Sequence, residues 1–370
     1  MSACQFALSG SFCGCGDACA STQNTILYAE LHLKVECNLY PMVPALLAQA
    51  FRAVHLPAGH SVQTHAQAVV TGELPVEGSG ERYQISRALD FDITMLYKGQ
   101  GPEFIHWESK PFHHNDWVER LRNQAASLHD AWKELTACLP QVLIQGYLWL
   151  LAHIDSDKSQ FSIVQIGPYF CFFEFRLLAL KRWSMPKAAS QLVSGRFDKL
   201  HWLDCIDPEH IECHYLLEPL YELGSAPEDL HERRASVQLC SAFRYALENS
   251  RAKSGDKLGE VQYPLPRFDL DCPSSRPAND EKLRGLSVSL GARPTSTPSQ
   301  IIRRYLGGVA ESVQAMRKEL AKPSVGSTRQ HATEDRLEYD FGSPEKKFKL
   351  KRSASRNKGE TSTSKRANLG

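Results

Sequence analysis

The stretch 89–111, LDFDITMLYKGQGPEFIHWESKP, restricts the fold more than any other part of the chain. It contains two runs in which apolar and polar residues alternate, which is the pattern of a β-strand with one buried face. The apolar positions are Leu89, Phe91, Ile93, Met95, Ile105 and Trp107. Between the runs lies KGQGP at 98–102, whose glycines accept positive φ and whose proline cannot donate to a ladder. The stretch therefore predicts a hairpin of two antiparallel strands.

The chemistry of this hairpin depends on the register of its strands. Pairing the facing ends of the two runs would place Asp92 opposite Glu108. In the same register, Asp90 lies opposite Lys110. A slip of one residue would set apolar against polar side chains on both faces, so burial favours an even register. Three carboxylates and one ammonium then share one face of the hairpin.

Opposed carboxylates on paired strands repel, because their Cβ atoms are roughly 5 Å apart. A divalent cation between them would remove the repulsion, and Mg²⁺ is commonly held by one or two carboxylates, water and substrate phosphate oxygens. Lys110 lies two residues after Glu108 on the same face, so it can orient or deprotonate an attacking water. The alternative interpretation is the solvated outer face of an amphipathic hairpin, because these residue types are mostly exposed.

The order of these motifs resembles the PD-(D/E)XK nuclease-like superfamily. Asp92 is followed on the next run by Glu108-Ser109-Lys110, which is similar to the D…ExK signature. The chain continues with PQVLIQGYLWLLAH at 140–153 and FSIVQIGPYFCFFEF at 161–175. This order is similar to a group of fungal members, in which a Gln-bearing helix and a β-hairpin with a Gly-x-Tyr/Trp turn follow the ExK strand. The resemblance covers about residues 88–176.

The resemblance implies an α/β fold with a restriction-endonuclease-like core, in which helices flank a central mixed sheet. It implies a phosphodiesterase acting on nucleic acid, with Asp92 and Glu108 as ligands of Mg²⁺ or Mn²⁺. Lys110 would orient the water and Gln145 would assist. Because the superfamily also contains inactive relatives, the alternative is an inactive scaffold or a nucleic-acid-binding nuclear protein. The chain departs from the pattern in having no proline before Asp92 and a longer spacing from Lys110 to the Gln helix.

Hydrophobic periodicity predicts the elements before the hairpin. Residues 26–51 form a helical pattern that is interrupted near Pro41 and Pro44. On this helix Glu30 is a further carboxylate of the kind that superfamily members place near the metal; a surface glutamate is the alternative. Residues 66–76 and 82–86 predict a first strand region with a turn at 78–80.

The segments after the hairpin alternate between helix and strand patterns. One helix is expected to end near Leu139, and a second to begin at Pro140, where the missing N–H is harmless. Gln141 and Gln145 are four residues apart and therefore share a helical face. Residues 161–175 predict two strands, the second of which is nearly all aromatic and buried on both faces. Residues 186–250 read as helical decoration.

The 370-residue chain divides by composition. The predicted regions are a flexible Cys/Ser/Gly-rich start at 1–22, an α/β domain at 23–250, a linker at 251–299, an isolated helix at 300–322 that is a possible site for a protein partner, and a disordered basic tail at 323–370. The eleven cysteines are expected to be reduced thiols. A weaker alternative function is an interaction protein stabilised by zinc at the N-terminal cysteines, although these lack paired C-x-x-C spacing.

Charge is unevenly distributed. From residue 343 onward the tail holds nine basic and two acidic side chains, which leaves 34 basic against 40 acidic residues in the first 342. The motif KKFKLKR indicates a nuclear import signal or a phosphate-contacting patch; a merely solubilising tail is the alternative. No apolar run approaches the roughly 20 residues needed to cross a bilayer, and no secretory pattern follows Met1. Nucleic acid is thus the expected partner, no membrane is expected, and the oligomeric state is open.

Overall fold

The computed structural model describes ten ranges of the chain, which are 24–29, 36–54, 60–97, 103–112, 124–154, 159–181, 184, 202–223, 233–251 and 296–320. Several predictions lie outside them: the N-terminal cysteines, Glu30, the turn at 98–102, almost all of the linker and the basic tail.

A mixed six-stranded sheet forms the centre of the described fold, and helices cover both its faces. Its strands are β1 (His60–Ala66), β4 (Phe91–Tyr97), β5 (Glu103–Lys110), β6 (Gln160–Ile166), β7 (Tyr169–Phe175) and β8 (Ile211–Pro219), in spatial order β1-β4-β5-β6-β7-β8. The β5–β6 pair is parallel and every other pair is antiparallel. The predicted α/β class with a central mixed sheet is confirmed.

The predicted hairpin forms, but its predicted register is wrong. Asp92 lies opposite His106 rather than Glu108, and the register shifts between Ile93 and Thr94. From Phe91 to Ile93 the difference is two residues, which leaves these side chains and their partners on the same face of the sheet. The hydrophobic pattern is identical in both registers, so it could not distinguish them. The consequence for the site is large, because a different aspartate now faces Glu108.

A single long helix makes the crossover between β5 and β6. This helix, α2 (Gln124–Ala152), continues through Pro140, where the sequence predicted a break. An interior proline destabilises a helix by about 3 kcal/mol. Leu139, Val142 and Leu143 around it are buried, and each buried aliphatic side chain contributes about 1.5–3 kcal/mol. The apolar packing of α2 against the sheet therefore outweighs the loss at the proline.

By length and composition alone, residues Leu128–Ala152 of α2 could cross a membrane. The sequence had predicted no segment that meets this test. The most apolar part of this segment is 78% buried inside the fold, which is also typical of a core helix.

In the described ranges, two small ladders and three further long helices lie outside the main sheet. They are α1 (Met42–Val54), the separate antiparallel ladder of β2 (Val69–Pro75) and β3 (Arg82–Ala88), the short ladder of β9 (Tyr221–Leu223) and β10 (Arg233–Ala235), α3 (Val237–Arg251) and α4 (Pro298–Leu320). The strands predicted at 161–175 form as the β6–β7 hairpin, and both strands are buried throughout. A Cβ at Gly167, the turn residue with φ +54°, would overlap the side chain of Phe112.

Two predictions for the C-terminal half are wrong. The segment 186–250 is not only helical, because β8 is an edge strand of the main sheet and only α3 is a long helix there. The helix predicted at 300–322 does not stand apart. It forms as α4 and packs on β8, with Ile301, Ile302 and Leu306 fully buried.

Candidate functional site

Glu108 is the centre of a buried polar cluster between β5 and α2. Its side chain is 4% exposed. Oε1 lies 2.6 Å from Nζ of Lys110 and accepts a hydrogen bond of 2.5 Å from Nε2 of Gln141. Oε2 accepts a bond of 3.0 Å from Nε2 of Gln145, which also donates to the Ala88 carbonyl. The two-residue period of the strand and the four-residue period of the helix bring these four side chains together.

Asp90 is the carboxylate that the observed register brings to Glu108. Asp90 lies just before β4, and extending the Phe91–Trp107 pair by one residue sets it opposite Glu108. Its Oδ2 accepts a hydrogen bond of 2.6 Å from the backbone N–H of Ser109. The backbone of β5, directly after Glu108, therefore holds Asp90 in place.

Tyr40 and Glu36 close the cluster from the segment before α1. The Tyr40 hydroxyl donates to Oδ1 of Asp90 at 2.8 Å and lies 3.3 Å from Oε1 of Glu36. Oε2 of Glu36 lies 3.7 Å from Nζ of Lys110. Three carboxylates thus surround one ammonium and one phenol.

The ionisation of the cluster reflects burial and mutual charge. Burial, together with the charge of Asp90, raises the pKa of Glu108, although Lys110 and Gln145 oppose the rise. Burial alone would lower the pKa of Lys110, but the charges of Glu108, Asp90 and Glu36 outweigh it and the net pKa is raised. The pKa of Tyr40 is also raised, by burial and by its hydrogen bond to Asp90. Lys110 therefore acts as an ammonium and Tyr40 as a neutral phenol.

Asp92, which the sequence assigned to this cluster, is a diagonal rather than a direct neighbour of Glu108. It is buried opposite His106 and accepts a hydrogen bond of 3.1 Å from Thr94 Oγ1. Burial lowers the pKa of His106 to about 3, so this imidazole is neutral and supplies no charge to Asp92. The proposed role of Asp92 as a metal ligand stays a prediction, and Asp90 is the better placed acid.

Asp90 and Glu108 are the two opposed carboxylates of the cluster that could hold a divalent cation. Within the described ranges, no group of three His, Cys, Asp or Glu residues is arranged to hold a metal ion. Mg²⁺ needs only one or two carboxylates when water and substrate phosphates complete its shell. Asp90 and Glu108 supply hard oxygen atoms, and the charge of Asp90 already disfavours the ionised form of Glu108. A cation would relieve that repulsion.

A second buried carboxylate, Glu174 on β7, was not found from the sequence. It accepts hydrogen bonds from Ser159 at 2.7 Å, from Arg176 at 3.0 and 3.2 Å, and from Tyr245 at 3.0 Å. His214 Nε2 lies 2.9 Å from its Oε2. All of these partners are side chains of this chain, so the cluster joins β7 to β8 and α3. In the sequence, Glu174 is the one charge in an aromatic strand, which was the available signal.

No protein-family model matches this chain, and no curated protein matches it.

Proposed function

We propose that this protein hydrolyses phosphodiester bonds of nucleic acid with a bound divalent cation, as a member of the PD-(D/E)XK nuclease-like superfamily with a restriction-endonuclease-like core. The observation that supports this function best is the convergence of Asp90, Glu108 and Lys110 at one end of the β4–β5 hairpin. Glu108, Lys110 and Gln145 keep the roles predicted from the sequence. The first acid moves from Asp92 to Asp90.

The residues of the cluster divide the work of such a reaction. Mg²⁺ or Mn²⁺, when bound by Asp90 and Glu108, would stabilise charge on the scissile phosphate and lower the pKa of bound water. The Lys110 ammonium can donate a hydrogen bond to the attacking water or to a phosphate oxygen. Gln145 donates to one oxygen of Glu108 and thereby sets the direction of the carboxylate. Tyr40 does the same for Asp90.

Most of the affinity for nucleic acid has to come from outside the first 342 residues, in which acidic side chains outnumber basic ones. Neutralisation of phosphates by Lys and Arg supplies most non-specific affinity for nucleic acid. The first 342 residues hold 34 basic against 40 acidic residues, whereas the tail from 343 holds nine against two. The tail is therefore proposed to hold the substrate and to direct the protein to the nucleus. Removing it should weaken binding more than it slows cleavage of bound substrate.

A catalytically inactive relative is the second candidate, and one observation favours it. Both oxygens of Glu108 already have donors, because Lys110 and Gln141 contact Oε1 and Gln145 contacts Oε2. A carboxylate that is fully satisfied by its own protein does not need an ion. Such a protein would bind nucleic acid or serve as a scaffold without cleaving.

Substituting Asp90 and Asp92 one at a time tests the proposal, because only Asp90 is expected to be needed for cleavage. Purified wild type, Asp90→Asn, Asp92→Asn and Lys110→Met are compared on end-labelled single- and double-stranded DNA and RNA, with Mg²⁺, Mn²⁺ or EDTA. We expect metal-dependent cleavage that Asp90→Asn and Lys110→Met reduce by at least about 100-fold, while Asp92→Asn remains within a few-fold of wild type. Mn²⁺ binding followed by electron paramagnetic resonance should weaken in Asp90→Asn alone.

Two outcomes would contradict the proposal in different ways, and a folding control accompanies them. Activity that depends on Asp92 but not on Asp90 would return the first acid to its original assignment and contradict the observed geometry. Binding of nucleic acid without any metal-dependent cleavage would support the inactive relative. Circular dichroism of each variant identifies losses that come from unfolding.

A further inference from the structure

The two edge strands of the main sheet, β1 and β8, differ in how their outer sides are covered. At the β8 edge, side chains of α4 bind the strand backbone: Ser299 Oγ accepts from the N–H of Cys213 at 2.9 Å, and Arg303 donates to the Ile211 carbonyl at 3.0 and 3.2 Å. Such cover prevents a strand from pairing with another chain. One edge of the sheet is therefore closed.

The β1 edge has no such cover within the described ranges. β1 pairs with β4 on one side, and none of the hydrogen bonds of the described residues reaches its other side. Ser61, Gln63, His65 and Ala66 are exposed, and Val62 and Thr64 are half-buried. No other described residue therefore binds the row of backbone donors and acceptors along the outer side of this seven-residue strand.

The sequence of β1 also lacks the devices that protect free edges. Its seven residues, HSVQTHA, include no Asp, Glu, Lys, Arg or Pro. Its seven pairs with β4 run without a bulge. Charged side chains, prolines and bulges are the usual means of blocking edge-to-edge contact. An open, regular and uncharged edge fits a strand that is paired in the assembled protein.

We propose that a second copy of this chain pairs with β1 in antiparallel fashion, about a two-fold axis through Gln63. Opposed residues in an antiparallel pair have the same hydrogen-bonding orientation, so such an axis must pass through a residue rather than between two. For a seven-residue strand, complete overlap occurs only when Gln63 faces Gln63 of the second copy. Two six-stranded sheets then become continuous across the dimer.

This register gives compatible side-chain pairs on both faces. Val62 lies opposite Thr64 of the second copy, so β-branched side chains meet on the half-buried face. Gln63 meets itself on the exposed face, where the two amides can exchange hydrogen bonds. No like charges are opposed, because the strand carries neither acidic residues nor Lys or Arg. The self-pairing is thus free of the repulsion that usually prevents it.

The strength of the contact follows from its size. Seven residues from each copy form a small interface compared with the 20–30 residues a side that are typical of stable complexes. We therefore expect a dimer that dissociates in the micromolar range, on the order of 10 µM. The inference does not depend on the proposed catalytic activity.

Sedimentation velocity of the full-length chain tests the dimer. Wild type is measured from about 1 to 100 µM, and the mass should rise from the 41.5 kDa of one chain towards twice that value. Gln63→Lys opposes two like charges and should weaken association at least about tenfold. Gln84→Lys is the matched control, because Gln84 is an exposed glutamine on β3, outside the main sheet, and should leave association unchanged.

Mixing two variants of opposite charge distinguishes a loss of strand pairing from a loss of folding. Gln63→Lys and Gln63→Glu should each be largely monomeric alone and should associate when mixed, because the opposed charges are then complementary. A wild-type chain that stays monomeric over the whole range overturns the proposal and leaves the edge to an extended segment of another protein. A dimer that Gln63→Lys does not weaken also overturns it, because another surface must then be responsible.

Discussion

Replacing Glu174 with Gln tests the buried cluster that joins β7 to β8 and α3. Burial would raise the pKa of this carboxyl, but hydrogen bonds from His214, Arg176 and Ser159 outweigh burial and hold the pKa well below its usual range. The glutamine keeps the size of the side chain and one oxygen. It places an amide N–H₂ where Oε2 accepted hydrogen bonds.

The expected loss follows from which partners can adjust. The Tyr245 hydroxyl and the His214 imidazole can rotate or change tautomer and accept from the new amide, whereas the Arg176 guanidinium can only donate. A hydrogen bond to a charged group contributes about 1.5–3 kcal/mol. The side chain of Arg176 is 44% exposed, which reduces its share through solvent screening. We therefore expect Glu174→Gln to lower the free energy of unfolding by about 2–3 kcal/mol at pH 7.

The difference in the free energy of unfolding between wild type and Glu174→Gln should also depend on pH. A carboxyl with a depressed pKa in the folded state stabilises the protein above its unfolded pKa of about 4.3, and this stabilisation is lost as the pH falls through the folded pKa. Each pH unit below about 4.3 removes about 1.4 kcal/mol from wild type but not from the variant. At pH 3 the difference should shrink to about 1 kcal/mol or less.

Urea unfolding at pH 7, 4 and 3, followed by circular dichroism, measures the difference. Glu73→Gln is the control, because the Glu73–Arg82 pair is exposed and its loss should change the free energy of unfolding by less than about 1 kcal/mol. A loss below 1 kcal/mol for Glu174→Gln at pH 7, or a difference that stays constant down to pH 3, would refute the reasoning.

Four further substitutions have definite expected results in urea or thermal unfolding. Gly146→Ala should lower the free energy of unfolding by about 1–3 kcal/mol, because the new Cβ would lie 2.8 Å from a buried phenylalanine ring. Gly307→Ala, in an open stretch of α4, should raise the free energy of unfolding by up to about 1 kcal/mol. Equal effects of the two substitutions would contradict this. Lys110→Met leaves the buried Glu108 carboxylate without its cation and should destabilise by about 3–5 kcal/mol at pH 7, unless Glu108→Gln is made with it. Tyr40→Phe loses the hydrogen bond to the nearby aspartate and should lower the free energy of unfolding by about 1–2 kcal/mol, and an unchanged stability would show that the bond contributes nothing.

Much of the central architecture could be predicted because it depends on local periodicity. Alternation of apolar residues located both strands of the central hairpin, and the largely apolar run at 161–175 located the buried hairpin. The same two-residue period placed Glu108 and Lys110 on one face, and the four-residue helical period placed both glutamines towards them. Each of these inferences needs only neighbours in sequence.

The choice of the first acid could not be made from the sequence. The choice between Asp90 and Asp92 depends on a register difference of two residues at Phe91–Ile93, which keeps the buried positions there buried. Glu36 and Tyr40 precede the hairpin by about fifty residues, and nothing local indicates that they reach it. The helix break predicted at Pro140 was wrong for a related reason. The packing that stabilises α2 across the proline comes from strands distant in sequence.

The contact between α4 and β8 bears on how this protein can be produced in pieces. A recombinant fragment that stops at Arg251 would look complete by secondary structure, since it contains every strand of the described fold. It would nevertheless leave the Ile211 carbonyl and the Cys213 N–H bare, beside a strand that is aromatic almost throughout. We expect such a fragment to accumulate in inclusion bodies. The shortest fragment expected to stay in solution runs through Leu320.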